Sequence, residues 1–157
     1  MLIQFQEYLT LENIYLWTNF GILPFWILLI IAPNSKITQF FLNSVILPLI
    51  LSAAYSYIIY QSILLDENIF DFFSLYLGID NLYTIFSTES FLLVFWLHFL
   101  ALNIFLGTWM SRDGVKYNIN RSLMFFPLLL VYFTGPLGLV MYWVIRVFYA
   151  KRLSFHD

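Results

Sequence analysis

Four long apolar stretches alternate with short polar segments along the chain, and each stretch is long enough for a membrane-spanning helix. Such a helix needs about 20 consecutive apolar residues to cross the hydrocarbon core of a bilayer. The stretches occupy residues 13–32, 37–60, 91–110 and 122–148. Turn-forming residues Pro33–Ser35 separate the first two, and a polar segment, Ser111–Gly114, predicts a loop after the third. The pattern predicts an all-α integral membrane four-helix bundle, with residues 1–157 as a single transmembrane domain.

The connection between the second and third stretches, residues 61–90, differs from an ordinary loop. Its charged residues are all acidic, and apolar residues alternate with polar ones without reaching the length of a span. Amphipathic segments of this kind lie in the plane of the membrane interface. We therefore expect an interfacial helix between spans 2 and 3. The absence of Lys and Arg argues against docking of this segment on anionic lipid headgroups.

The composition indicates a membrane protein and excludes several functions. The chain is 62% hydrophobic and 10% charged, with a mean hydropathy of +0.84, whereas a soluble domain is about half apolar and about a quarter charged. The net charge of −2 gives no electrostatic footprint for nucleic acid. The absence of cysteine excludes disulfides and thiolate chemistry. Residues 1–13 contain no Lys or Arg, which argues against a signal peptide.

The basic residues give no firm orientation in the membrane. Four spans put both termini on one side and divide the basic side chains between the two sides. One side would have Lys36, Arg112, Lys116 and Arg121, and the other would have Arg146, Lys151 and Arg152. This near balance does not decide the orientation under the positive-inside rule. We expect Arg146, close to the end of the fourth span, to snorkel towards the interface.

The third stretch contains one histidine, His98, among aromatic residues. At about 100° per residue, four aromatic side chains lie within about 60° of His98 on one helix face. They are Phe91, Phe95, Phe105 and Trp109. Because ionisable residues are expensive in hydrocarbon, His98 is a candidate for function as a general acid or base, or as an axial ligand of chlorophyll magnesium or haem iron. The alternative is a buried structural histidine that is hydrogen-bonded to another group.

A metal site of the zinc type is not expected around His98, because no second nitrogen, thiol or carboxylate lies within helical reach. The prediction is therefore no metal, unless His98 ligates a chlorophyll. Motifs for phosphate loops, serine nucleophiles, zinc proteases and CxxC pairs are also absent from the sequence. Their absence excludes most nucleotide, hydrolase and thiol chemistry.

Three further residues are candidate ligand contacts together with the aromatic face. Asn103 lies about 140° from His98 around the helix, so an interhelical hydrogen bond is its main alternative role. Gly107 lies beside the aromatic residues, and Gly135 precedes a proline in the fourth stretch. Glycine allows a neighbouring helix or a ligand to approach the backbone closely.

Arg112 and Asp113 lie where the third stretch leaves the membrane. They could form a solvated charge cluster, which contributes little energy. Alternatively, they could form a rim that binds the polar end ring of a long ligand. We therefore consider Arg112 and Asp113, together with His98, as candidate catalytic residues.

Several of these residues together resemble one known family. The residues that carry the resemblance are Trp96, His98, Phe105, Gly107, Trp109, Arg112 and Asp113, followed by Gly135–Gly138. With the segment Leu23–Asn34, they are similar to the abscisic-acid-deficient-4-like proteins over nearly the whole chain. The resemblance implies a small four-span membrane protein linked to carotenoids, because the plant member is required for neoxanthin synthesis from violaxanthin.

The resemblance implies an epoxycarotenoid isomerase of the violaxanthin-to-neoxanthin type, or a relative that acts on another xanthophyll. Converting a 5,6-epoxide into an allene needs proton transfer and no redox cofactor. His98 would be the base, with Arg112 or Asp113 at the ring end. The family pattern has an acid at the position of Asn103 and a glutamate at that of Asp80, so Asn103 leaves open whether this chain is an enzyme.

Two other functions remain open at this stage. The chain could be a non-catalytic pigment-binding subunit or assembly factor of a photosynthetic membrane complex, with carotenoid or chlorophyll as a bound ligand. It could also be a structural membrane protein without a ligand. The expected partners are membrane lipid, carotenoid and a photosynthetic complex, and the expected location is the thylakoid or a bacterial inner membrane.

Overall fold

The structure is a computed structural model that describes residues 8–42, 46–65 and 73–151. Seven helices lie within these ranges. They are α1 (Leu11–Ile31), α2 (Lys36–Phe41), α3 (Ile46–Leu64), α4 (Ile79–Phe86), α5 (Glu89–Lys116), α6 (Arg121–Thr134) and α7 (Pro136–Ala150). A short 3-10 turn, Ser74–Tyr76, precedes α4. These ranges contain no strand, which confirms the prediction of an all-α fold.

Three of the helices, α1, α3 and α5, are long and apolar enough to cross a membrane. The first begins two residues before the predicted span and ends one residue before its predicted end. The turn after it is also confirmed. Ser35 caps α2 by accepting a hydrogen bond from the Thr38 backbone N–H at 3.1 Å, and the Thr38 hydroxyl donates to the Ala32 carbonyl at 2.7 Å. These bonds satisfy backbone groups that the helix ends leave unpaired.

The predicted second span, residues 37–60, is not a single helix. The short helix α2 ends at Phe41, and α3 begins at Ile46 and continues to Leu64. Pro48 gives the physical reason for the late start of α3. Proline lacks an N–H and its ring clashes with the carbonyl four residues earlier, so it is tolerated in the first turn of a helix and not in the interior. As the third residue of α3, Pro48 occupies such a position.

The third predicted span, residues 91–110, is extended at both ends in α5. The helix continues through Ser111–Gly114, so the prediction of a loop there is wrong. Packing accounts for the difference. Ser111 and Gly114 are buried, and a Cβ added to Gly114 would lie 2.9 Å from the sulfur of Met124. Tertiary packing overrides the weak local preference of a Ser-Arg-Asp-Gly segment for a turn.

The predicted fourth span, residues 122–148, is divided into two helices. Gly135 separates α6 from α7 with a φ of 64° and a ψ of −87°, a conformation that side-chain-bearing residues rarely adopt. Pro136 then takes the first position of α7, where a backbone N–H is not required. With 14 and 15 residues, α6 and α7 are each shorter than the about 20 residues of an ordinary span. The prediction of one continuous helix is therefore wrong.

The described chain divides into two compact units. The first unit combines the residues up to Gly21 with Leu49–Phe99, and the second combines Ile22–Pro48 with the residues from Leu100 onwards. In the first unit, the indole N–H of Trp96 donates to the Asn19 side-chain oxygen at 3.1 Å and joins α5 to α1. The single transmembrane domain stays a prediction.

In the second unit, α6 lies antiparallel to the C-terminal half of α5. Met124, near the start of α6, packs on Gly114, near the end of α5. Gly135, just after the end of α6, lies against the side chain of Asn103. In α5, Asn103 precedes Gly114 by more than ten residues. Contacts in this order require the two helices to run in opposite directions.

The last helix, α7, then returns along α5, so α6 and α7 form a hairpin. Gly138 at the start of α7 packs closely on Val131 of α6, where any larger residue would clash with the backbone. Tyr142, further along α7, reaches Asp113 of α5. The hairpin therefore brings the end of α7 back to the end of α5.

The predicted interfacial helix has a counterpart in α4, which lies in the first unit. Ile79 and Tyr83 expose 81% and 77% of their surface. Phe86 packs on the rings of Phe91 and Phe95, with centroid distances of 5.3 and 4.8 Å. Residues 66–72 of the same connection lie outside the described residues. A helix between the second and third spans is thus present, and its location at the interface stays a prediction.

Candidate functional site

A cleft of about 780 Å³ opens in the second unit, along α5. Its wall comprises residues at the end of α2 and the start of α3, and one side of α5. They are Leu42, Leu47, Pro48, Ile104, Phe105, Thr108, Trp109, Arg112, Asp113 and Lys116. Ligand pockets of drug-sized molecules have about 300–1,000 Å³, so the cleft is large enough for one end of a long ligand.

The cleft changes from apolar to charged along its length. Ile104 and Phe105 lie at one end of the α5 wall, and Arg112, Asp113 and Lys116 lie at the other. At about 1.5 Å per residue, this wall is about 18 Å long. A molecule with an apolar body and a polar end group fits such a gradient, because only its polar end would meet charged side chains.

The carboxylate of Asp113 at the charged end is held by two residues of α7. The Arg146 Nε donates to Oδ2 of Asp113 at 2.6 Å, and the Tyr142 hydroxyl donates to the same oxygen at 2.5 Å. The Arg146 side chain is 1% exposed and that of Asp113 is 11% exposed. Asp113 and Arg146 thus form a buried ion pair. Removal of either side chain would leave the other as an uncompensated buried charge.

Tyr117 completes the surroundings of the guanidinium group. An Arg146 Nη donates to its hydroxyl at 3.3 Å, and the guanidinium carbon lies 4.9 Å from the centre of its ring. A cation above an aromatic face is attracted by the ring quadrupole. Arg146 is therefore fixed in position, and through it Asp113 is fixed at the wall of the cleft.

The hydrogen bonds from α7 use one oxygen of the Asp113 carboxylate. Both of them end on Oδ2. Arg112 and Lys116, one position before and three positions after Asp113, are exposed and line the same end of the cleft. One carboxylate and two cations thus line the same end of the cleft.

The location of Arg146 corrects two expectations from the sequence. Its side chain does not snorkel towards solvent, because it pairs with Asp113 inside the second unit. Because α7 returns along α5, Arg146 lies at the same end of this unit as Tyr117. The predicted division of basic residues, with Arg146 on the side opposite Arg112, is therefore wrong for this arrangement of helices.

Four of the candidate residues predicted from the sequence meet in the cleft: Phe105, Trp109, Arg112 and Asp113. Phe105 is 67% exposed, so its ring is available to a bound molecule. Trp109 packs edge-on against the ring of Tyr142 at a centroid distance of 5.6 Å. The charged exit of the third span and part of its aromatic face thus form one site.

Asn103, Gly107 and Gly135 have packing roles in the second unit. A Cβ on Gly107 would lie 2.6 Å from the Trp26 ring, and one on Gly135 would lie 2.7 Å from the Asn103 oxygen. Asn103 is buried, and its Nδ2 has no hydrogen-bond partner among the described residues. The expected interhelical hydrogen bond of Asn103 is therefore not seen from this nitrogen. These three residues do not line the cleft, and their binding of a ligand stays a prediction.

His98 and its nearest aromatic candidates belong to the first unit. Phe91 is buried, Phe95 is 46% exposed, and the side chain of His98 is exposed. The alternative role of His98, a buried structural histidine, is thus not seen. Within the described residues, no group of three His, Cys, Asp or Glu could hold a metal ion. The catalytic role of His98 stays a prediction, without support from the geometry of the cleft.

Tyr142, Arg146 and Tyr117 were missed from the sequence as site residues. A signal was present, since an arginine inside the apolar run of residues 137–150 needs a counter-charge if it is buried. Tyr142 precedes Arg146 by four residues, so both lie on one helix face. The identity of the counter-charge required knowledge of the hairpin.

The sequence model of the ABA DEFICIENT 4-like family matches residues 13–142, which contain the cleft and both Asp113 and Tyr142. The chain belongs to the ABA DEFICIENT 4-like family. The chain is similar to the protein ABA DEFICIENT 4, chloroplastic, of Arabidopsis thaliana, to which it is 27% identical over 115 residues. The alignment covers 68% of this chain and 52% of that protein, so the chain spans about half the length of this relative. No solved structure matches the chain.

Two findings concern the location of the protein. The relative is a chloroplastic protein by name, and α1, α3 and α5 are apolar enough to cross a membrane. Both findings fit a membrane location. The bacterial inner membrane, the other expected location, receives no support from this relative.

Proposed function

We propose that the chain binds an oxygenated carotenoid in the cleft and isomerises an epoxide end group, as the family resemblance implies. The observation that carries this proposal is the cleft of about 780 Å³, apolar at Phe105 and charged at Asp113. A polyene is apolar along its length, whereas its oxygenated end ring requires hydrogen-bonding groups. The family match and the chloroplastic relative support the assignment to carotenoid metabolism.

The residues at the charged end can move the protons that the isomerisation needs. Lys116 or Arg112 would donate a hydrogen bond to the epoxide oxygen and so assist cleavage of its bond to C6. The oxygen stays on C5 and takes a proton from the Lys116 ammonium. Oδ1 of Asp113 takes the proton from C7, which leaves the allene across C6, C7 and C8. The proton then returns from Asp113 to Lys116, so the reaction is a balanced isomerisation.

Arg146 and Tyr142 would act on the reaction through Asp113. Their bonds to Oδ2 keep the carboxylate in one orientation. The proposal gives no step to His98, which is exposed in the first unit.

The test is conversion of a purified xanthophyll 5,6-epoxide, such as violaxanthin, by the full chain in lipid nanodiscs. Chromatography with mass detection would show a product of unchanged mass and altered spectrum. We expect Asp113→Asn to reduce turnover about 100-fold or more. Glu12→Gln, a change at an exposed acid in α1, is the matched control and should keep full activity.

Exposed variants separate loss of chemistry from loss of fold. Arg112→Gln alters an exposed side chain in the cleft and should reduce turnover without lowering the unfolding midpoint. Retention of full turnover in Asp113→Asn, or no conversion of any 5,6-epoxide by folded protein, would exclude the isomerase function.

Pigment binding without catalysis is the second candidate. It is favoured by the two bonds that commit Asp113 Oδ2 to Arg146 and Tyr142, as in a purely structural ion pair. Protein purified in mild detergent would then contain stoichiometric pigment and co-migrate with a photosynthetic complex. Bound chlorophyll would be lost in His98→Ala if the exposed imidazole is its axial ligand. A colourless, inert protein would support a structural role instead.

We also propose that the chain crosses the thylakoid membrane and that α4 lies at its interface. The exposed apolar side chains Ile79 and Tyr83, next to the acidic Asp80, support such a location for α4. Isolation of chloroplast fractions followed by detection of the chain would test the membrane. A single cysteine introduced at Tyr83 and labelled with a fluorophore, with quenchers attached at known lipid depths, would test the position of α4 because the chain has no other cysteine.

A further inference from the structure

A second cavity, of about 390 Å³, lies in the first unit at the ends of three helices. We call it the Ser62 cavity. Its lining comes from the residues at the start of α1, the last turns of α3 and the start of α5. The lining residues are Leu9, Thr10, Leu11, Tyr57, Ile58, Gln61, Ser62, Leu65 and Ser90. None of them has a role in the cleft of the second unit.

The side chain of Ser62 is the feature that indicates a ligand. Ser62 is 1% exposed, and its Oγ has no hydrogen-bond partner among the described residues. A helical serine ordinarily donates to the carbonyl four residues earlier, yet Ser62 does not. Leaving a buried hydroxyl unpaired is unfavourable. The hydroxyl is therefore available to a polar group inside the cavity that it lines.

The other polar groups that the described residues contribute to the Ser62 cavity are neutral. The Gln61 amide N–H donates to the Tyr57 hydroxyl at 3.0 Å, and Ser90 and Thr10 add hydroxyl groups. None of the described residues that line the cavity is acidic or basic. A charged ligand would lose hydration without gaining a counter-charge, which is very unfavourable. A hydroxyl group suits this lining, because it donates and accepts hydrogen bonds without carrying a charge.

The location of the cavity suits a ligand that enters from the membrane interface. Helices α1 and α5 begin, and α3 ends, close to its lining residues, and these are the three helices long enough to cross a membrane. The ends of spanning helices lie near the headgroup level. Hydroxyl groups of amphiphilic molecules lie at the same level, with their apolar parts directed into the bilayer.

We propose that the Ser62 cavity binds the hydroxyl-bearing ring of a neutral amphiphile. The Ser62 Oγ hydrogen-bonds to the ring hydroxyl, and the apolar residues Leu9, Ile58 and Leu65 contact the ring. A terpenoid-type ring alcohol and the sugar headgroup of a lipid share this chemistry. The proposal does not rest on the isomerase function, because it concerns different residues in a different unit.

Photolabelling of the full chain in phosphatidylcholine nanodiscs tests this site. The probe is a cyclohexanol that carries a diazirine, and mass spectrometry locates the label. We expect saturable labelling of the segment 57–65. The competitor 3,3,5-trimethylcyclohexanol should suppress it if a ring alcohol is the ligand, and octyl glucoside should suppress it if a sugar is. The hydrocarbon 1,1,3-trimethylcyclohexane and a cyclohexylammonium ion should suppress neither.

Matched serine variants in the same helix give the decisive comparison. Ser62→Ala should weaken probe binding about 10-fold, the effect of losing one hydrogen bond. Ser62→Thr retains a hydroxyl and should bind more tightly than Ser62→Ala, while Ser52→Ala removes an exposed hydroxyl of α3 and should change nothing. Circular dichroism confirms that each variant is folded.

Three results would overturn the proposal. One is equal labelling of the 57–65 segment in Ser62→Ala and in the unmodified chain. Another is equal competition by the hydrocarbon or the ammonium ion. The third is no saturable labelling at all, which would mean that water alone pairs with Ser62. Activity on a carotenoid epoxide is unaffected by any of these results, so the two proposals fail independently.

Discussion

At the scale of single residues, the ion pair of Asp113 and Arg146 shows what a sequence does and does not reveal. Asp113, at the end of the third predicted span, was a candidate site residue because of its charge. Its side chain lines the cleft. The charge cluster considered from the sequence paired it with its neighbour Arg112, but its partner is Arg146, more than thirty positions later. Charge and position are local properties of a sequence, whereas pairing depends on how the helices fold back on each other.

Arg146→Met should destabilise the protein strongly. The change leaves the Asp113 carboxylate without its buried counter-charge, which costs about 3–5 kcal/mol. Arg112→Met, at an exposed site, should change stability by less than about 0.5 kcal/mol. Replacing both members, as Asp113→Leu with Arg146→Met, should recover most of the loss because no charge is then left unpaired. Chemical unfolding in detergent micelles measures all three, and equal stability of the two single variants would contradict the buried pair.

The candidate ligand residues were less predictable than the charges, because glycine and asparagine have the same sequence signal in packing and in binding. Gly107 and Gly135 each lie against a side chain of the protein itself, Trp26 and Asn103 respectively. Aromatic residues were predictable in part. Phe105 and Trp109 line the cleft as expected for a stripe on one helix face.

At the scale of helices, apolar length predicted α1 well because its ends coincide with local signals. The Pro-Asn-Ser turn that ends α1 is formed by a serine cap, a strictly local interaction. The end of α5 was not predictable in this way. Its continuation through Ser111–Gly114 depends on the packing of Gly114 against α6.

The break between α6 and α7 was also not predictable from local sequence signals. Residues on both sides of Gly135 are apolar, so composition alone does not distinguish a kinked span from a hairpin. Glycine before proline is compatible with both. The decisive feature is the positive φ of Gly135, which reverses the chain and which no sequence pattern reports.

Gly135→Ala should destabilise the hairpin for two separable reasons. A side chain is strained at a φ of 64°, by about 1–3 kcal/mol. Its Cβ would also lie 2.7 Å from the Asn103 oxygen. In an Asn103→Ala background the clash is removed and the strain remains, so the cost of Gly135→Ala should fall without reaching zero. Thermal unfolding of the four proteins gives this double-mutant cycle, and an equal cost in both backgrounds would show that Asn103 does not contact the bend.

At the scale of the whole molecule, composition was a reliable guide to class. A mean hydropathy of +0.84 predicted a membrane protein, and the three helices of spanning length fit that class. The family also followed from the sequence, because its motifs are spread over most of the chain. Topology did not follow, since counting apolar stretches treats α6 and α7 as one crossing.

The hairpin makes a prediction about topology that the four-span interpretation contradicts. Because α7 returns along α5, Arg121 at the start of α6 and Lys151 after α7 should lie on the same side of the membrane. Four simple spans would place them on opposite sides. The chain contains no cysteine, so single cysteines can be introduced without any background.

Arg121→Cys and Lys151→Cys are tested in membrane vesicles of one orientation with a membrane-impermeant maleimide. Both positions are exposed, so both should react to the same extent from the same side. Leu137→Cys, at an exposed position just after the bend, is the control and should be protected from that side until the membrane is dissolved. If Arg121→Cys and Lys151→Cys reacted from opposite sides, α6 and α7 could not form the hairpin. Arg146 would then lie too far from Asp113 to hold its carboxylate at the cleft, and the proposed base would lose its support.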